Sequence, residues 1–199
     1  MKRVFAAFLC LWFGTFPFAD NAAASGDEVV SIIKQAVHQY EQGDYAGAAS
    51  NLDYAAQMIR QKKGRKIQEA LPEPMAGWQA EQASAQAVGS AMFGGGVTVS
   101  RTYTRGDAEV VVSIVTDSPL MQSMMMMVNN PMFAGADGGS LQIIKGHKAI
   151  VKYDGGDQTG EVSMVVGNKF MVTVVGDGVK REDLLTYAGA IDFGLLEKY

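Results

Sequence analysis

The chain has 199 residues, 48% of them hydrophobic and 19% charged, with a formal net charge of −4 at pH 7; this is ordinary globular composition, enough for one or two small domains. Its mildly acidic balance removes any general electrostatic reason to bind nucleic acid. The single cysteine, Cys10, lies in the first dozen residues.

The N-terminus places Lys2 and Arg3 before an apolar run from Val4 to Phe18, followed by the small residues Ala22, Ala23 and Ala24. That three-part grammar predicts a secretory signal peptide over residues 1–24, cleaved near Ala24, and export to the periplasm or beyond. A retained membrane anchor is the competing reading, but a bilayer span needs roughly 20 apolar residues and this run falls short. Cys10 sits mid-run in AAFLCLW without the small neighbours of lipoprotein processing. A processed chain loses Cys10, so disulfides, thiol nucleophiles and thiolate metal sites are excluded from it.

Residues 25–71 read as a helical hairpin. In DEVVSIIKQAVHQYEQ the apolar positions Val29, Val30, Ile33, Ala36, Val37 and Tyr40 recur at three and four, and Asp27 and Glu28 sit where a helix dipole favours acids. Gly43-Asp44-Tyr45 breaks and restarts the chain. A second helix carries Ala48, Ala49, Leu52, Ala55 and Ile59 on one stripe. The spacing of Ala36, Tyr40, Gly43-Asp44-Tyr45, Ala48, Leu52 and Ala55 resembles the inner part of a tetratricopeptide repeat. In that family stacked helices form a peptide groove, and roughly three copies are needed to bury a continuous core. A single unit is therefore expected to pack against something else.

The basic run Arg60, Lys62, Lys63, Arg65, Lys66 is expected to be the solvated end of this helix, with contact to anionic lipid as the alternative. Gly64 within it is taken to mark a break. Pro72 and Pro74 cannot continue a helix, which places the domain junction near residues 71–78 and makes 72–96 a linker leading into the sheet. Trp78 would be the first large side chain handed to the second domain.

From residue 97 to 199 the pattern is that of a mostly antiparallel α+β domain. VTVSRTY, AEVVVSIVT, LQIIK, KAIVKY, GEVSMVV and KFMVTVV are about six short strands joined by hairpin connections. Two helices pack on them, a methionine-rich one after the second strand and KREDLLTYAGAIDFGLLEKY at the end. This element order resembles the Mog1/PsbP-like domains of exported bacterial and photosynthetic proteins. The resemblance implies a non-catalytic binding or assembly module.

LMQSMMMMVNN, Leu120 to Asn130, holds five methionines. At 100° per residue, Met127, Leu120, Met124, Val128, Met121 and Met125 fall within one arc of about 160°. The polar residues fill the other side, with Met126 among them. A buried amphipathic face explains this pattern. The choice of methionine over leucine points to a face that repacks around a partner or a small apolar ligand. The metal alternative is a Cu(I) carrier using Met121, Met124, Met125 and Met132, since thioethers suit that ion. NNPMFAGADGG is expected to be the loop leaving this helix.

Other motifs have plainer readings. His38 and His147 are expected to face solvent, His38 on the polar side of the first helix and His147 in the KGHK turn. A hydrolase using His147 is a further alternative, although no G-x-S-x-G elbow accompanies it. Asp154, Asp157 and Glu161 are oxygen ligands of the kind calcium takes, but a glycine-rich hairpin accounts for them. Arg105-Gly106-Asp107 matches an adhesion tripeptide and equally a tight turn. FGGGV, Phe93 to Val97, lacks the Lys and Ser/Thr of a phosphate loop. The leading expectation is a protein with no catalytic function and no cofactor, recognising an envelope protein or a small apolar ligand. Its candidate surface combines Tyr40, Tyr45, Tyr54, Trp78, Met121, Met124 and Met125.

Overall fold

A Schellman turn opens the architecture. Helix α1 (Ala24–Glu41) ends where Gly43 takes φ +81°, with Gly43 N donating to Tyr40 O at 3.1 Å and Asp44 N to Gln39 O at 2.9 Å. Asp44 then caps α2 (Tyr45–Gln68), its Oδ1 accepting from Gly47 N at 3.0 Å. Gln39 links the two helices by donating to Asp44 and accepting from Asn51 Nδ2 at 2.7 Å. The computed structural model describes residues 24–87, 96–116, 120–129 and 138–199. The predicted leader, Met132, Phe93 to Gly95 and residues 130–137 of the expected loop lie outside the described residues.

The chain divides into two units, residues 1–51 and 52–199. In the first, Val29, Ala36 and Ala48 are buried, and small side chains at 36 and 48 let the helices approach closely. The division falls inside α2. Helix α2 also runs unbroken through Gly64. A Cβ there would come within 3.0 Å of the Ala85 Cβ and 3.1 Å of Val97 Cγ1. Gly64 thus serves close helix–sheet packing rather than a break.

The second unit is built on an eight-stranded antiparallel sheet. Its strands are β1 (Gln79–Ala80), β2 (Ser84–Ala87), β3 (Val97–Arg105), β4 (Ala108–Thr116), β5 (Ser140–Ile144), β6 (His147–Asp154), β7 (Thr159–Val166) and β8 (Phe170–Asp177). The order is β1-β3-β4-β8-β7-β6-β5, with β2 also pairing β3. The expected class, a helical hairpin followed by a mostly antiparallel α+β domain, is the observed one. Two further strands, β1 and β2, lie in the segment read as linker, because residues 79–87 find open edge positions along β3.

Turn chemistry sets the hairpins. Lys145 and Gly146, the two residues between paired Ile144 and His147, have φ +46° and +88°, the all-positive pattern of two-residue turns whose twist matches the strands; Gly167 and Asn168, in the three-residue connection from Val166 to Phe170, have +58° and +54°. Gly106, at φ +61°, begins the turn between Arg105 and Ala108. This is the structural role of the Arg-Gly-Asp tripeptide.

Strict alternation then sorts the sheet into two faces. In β4, Ala108, Val110, Val112, Ile114 and Thr116 are buried while Glu109 is exposed. The inner face packs under the end of α2 and under α4 (Arg181–Ala190) and α5 (Phe193–Leu196), with Ile67, Leu71, Leu184, Tyr187, Ile191 and Leu196 filling the core. Gly160 and Gly176, paired across β7 and β8, leave the space that Leu184 occupies. On the opposite face α3 (Leu120–Asn129) rests on β6 and β7.

Candidate functional site

Helix α3 sits as its periodicity predicts. Val128 is buried against Ile150 of β6, and Met124 and Met127 pack around that pair. Met121 and Met125 are half-buried, whereas Gln122 and Ser123 are exposed. Met126, the residue that falls among polar neighbours on the wheel, is 65% exposed. Apolar burial against the sheet therefore accounts for the arrangement of these methionines.

Beneath α3 lies a void of about 40 Å³ lined by Met124, Met127, Ile150, Lys152, Glu161 and Ser163. Lys152 and Glu161 also line an open groove of about 800 Å³ that runs past Val175 to Asp154 and Asp177. Lys152 and Glu161 face each other across β6 and β7. Buried Ser163 donates its hydroxyl to Glu161. Sequence reasoning singled out Glu161 for calcium and missed Lys152 and Ser163. Period-two alternation puts Lys152 with Ile150, and Glu161 with Ser163, but only strand pairing joins the two sets.

The hairpin presents a second apolar surface. Val30, Ile33, Val37 and Tyr40, at spacings of three and four on α1, are all exposed. Tyr40 and Tyr45, 64% and 65% exposed, meet edge to face with ring centroids 5.4 Å apart. Tyr54 is exposed too, on the part of α2 that belongs to the second unit.

Trp78 does not belong to a surface; it is 7% exposed and part of the core. Its ring stands edge-on to Tyr187 at 5.3 Å, and the Arg105 guanidinium lies 4.4 Å from its centroid. Arg105 in turn pairs with Asp183 at 2.9 Å. The turn from Pro72 to Trp78 is held by this cluster: Tyr103 donates its hydroxyl to Pro72 O at 2.6 Å, and Met75 N donates to the Tyr187 hydroxyl at 3.3 Å. The aromatic residue read as a recognition group is thus a structural one, because the proline-rich segment folds back onto the sheet.

Burial pushes the Tyr103 phenol up to about 12, and burial also raises that of Tyr187. The protonated phenol is the form the fold favours. Its stabilising contribution is complete below about pH 10, the ordinary value, and is lost as pH rises toward about 12. Chemical denaturation across this window should show wild-type stability falling more steeply than that of Tyr103→Phe. Parallel slopes would reject the assignment.

His147 departs from its expected exposure. It opens β6 opposite Ile144, its side chain is 18% exposed, and its ring meets Phe193 at 4.7 Å. Packing against α5 turns it inward. Its Nε2 lies 3.8 Å from Glu197 Oε1, in a cleft of about 380 Å³ also lined by Lys145 and Asp192. Among the described residues no hydroxyl side chain lines that cleft, and Asp192 Oδ1 accepts from Leu195 N at 2.9 Å as a helix cap. His38 is exposed and bonds Gln42 at 3.1 Å.

Asp154 shapes its own turn, with Oδ1 accepting from Gly156 N at 2.8 Å and from Asp157 N at 3.4 Å. Among the described residues, no group of three or more His, Cys, Asp or Glu is placed to hold a metal ion. The basic run occupies the last turns of α2, where Lys66 pairs with Glu69 at 3.0 Å on the surface. No helix among the described residues is long and apolar enough to cross a membrane. No protein-family model matches the chain, and no curated protein or solved structure is significantly similar to it.

Proposed function

We propose that the chain is a non-catalytic periplasmic binding or assembly protein that recognises a protein partner or a small apolar ligand. The observation that carries the partner reading is the stripe of Val30, Ile33, Val37 and Tyr40, exposed along α1 with Tyr45 beside it. Isolated exposed apolar residues are normal, but a contiguous row at helical spacing is the pattern by which amphipathic helices meet partners. The leader supports the periplasmic assignment. The soft face of α3 over a void supports the ligand half of the reading.

Pull-down from envelope extracts with the mature protein should recover a defined partner. A Val37→Ser/Tyr40→Ser variant should lose that partner by about tenfold or more, with melting unchanged because both side chains are exposed. Capture equal to wild type would move the surface elsewhere. Recovery of nothing by the wild-type protein would overturn the partner reading.

A further inference from the structure

The void under α3 and the open groove adjoin, with Lys152 and Glu161 lining both. Ile150, Lys152 and Asp154 alternate along one side of β6, and Ser163, Glu161 and Thr159 along the same side of β7. The methionine-lined void marks one end of this run, and Asp154 and Asp177 mark the other. From Ile150 to Asp154 the strand covers about 13 Å at roughly 3.3 Å per residue.

The two ends differ in chemistry. The closed end offers the thioethers of Met124 and Met127 and the aliphatic Ile150. Among the described residues the open end carries three carboxylates, Asp154, Glu161 and Asp177, against the one ammonium of Lys152, which stands opposite Glu161. Half-exposed Val175 forms an apolar strip between them. A ligand complementary to this gradient has an alkyl end for the methionines and a cationic end for the carboxylates, separated by roughly eight to ten carbons over that length.

We propose that the groove binds a primary amine with a medium-length alkyl chain, its tail under Met124 and Met127 and its ammonium between Asp154 and Asp177. This names the ligand class for the small-ligand half of the reading above and rests on it. A void of about 40 Å³ admits only the tip of such a chain, so α3 must yield to it. Methionine suits that task, because its unbranched side chain with three rotatable bonds repacks at low cost. The carboxylates act in a partly solvated groove, so their contribution is set by several modest attractions and is screened by salt.

The test is an NMR titration of the mature protein carrying ¹³C-methyl methionine, with octylammonium, octanoate and octanol as probes. Octylammonium should shift the Met124 and Met127 methyl signals saturably, with affinity about tenfold above that of octanoate. Asp177→Asn should reduce that preference severalfold and leave octanol unchanged; about 1 M salt should do the same. Equal affinity for all three probes would overturn the ammonium assignment while leaving an apolar ligand site in place. If neither methyl responds to any probe, both the inference and the ligand reading fall.

Discussion

Trp78→Ala is expected to lower the unfolding free energy by about 3–5 kcal/mol, the usual range for deleting a buried aromatic side chain. At roughly 2–4 °C per kcal/mol for a chain of this size, the melting temperature should fall by about 6–20 °C. The cost has three physical parts. The indole leaves a cavity beside Tyr187, Arg105 loses the ring face it lies against, and the turn closed by Trp78 N donating to Met75 O at 2.9 Å loses its anchor. Urea denaturation followed by circular dichroism measures it. A loss below about 1 kcal/mol would show that the ring does not hold the segment. A variant of wild-type stability that failed to capture a partner would return Trp78 to the recognition surface.

Gly160→Val should cost about 3 kcal/mol, at the upper end of what overpacking a core imposes. A Cβ at this position would lie 2.7 Å from Leu184 Cδ1, 2.8 Å from Lys152 O and 2.9 Å from Tyr153 Cδ2. The carbonyl belongs to the β6–β7 ladder and cannot rotate aside, so α4 or the strand must shift. Gly155→Ala serves as the control, since the nearest atom to its Cβ would be Tyr153 Cε1 at 3.8 Å, an ordinary contact. Paired denaturation curves should separate the two variants clearly. Equal stability would mean that α4 does not press on the glycine pair.

How far the structure was legible in the sequence varies by element. The hairpin was readable because Gly43 and Asp44 are local signals: a residue that takes positive φ without cost, followed by a side chain that caps the next helix. The orientation of α3 was readable for a similar reason, as a period of 3.6 assigns each side chain to a face before any partner is known. Gly64 was misread because glycine marks both a break and a close approach. Trp78 and His147 were misread because an aromatic ring looks the same in the sequence whether the segment carrying it projects outward or folds back.

The sequence by itself determined the two helices of the hairpin, the alternating strands, the hairpin connections that join most of them, and the side of α3 that is buried. Each depends on contacts within a few residues. Tertiary structure alone decided that β8 inserts between β4 and β7, that residues 79–87 complete the sheet along β3, and that Lys152 and Glu161 line both the groove reaching Asp177 and the void under the methionines. Alternation says which residues of a strand share a face. Which strands become neighbours, and which face a helix covers, is settled only when the whole core competes for the same apolar partners.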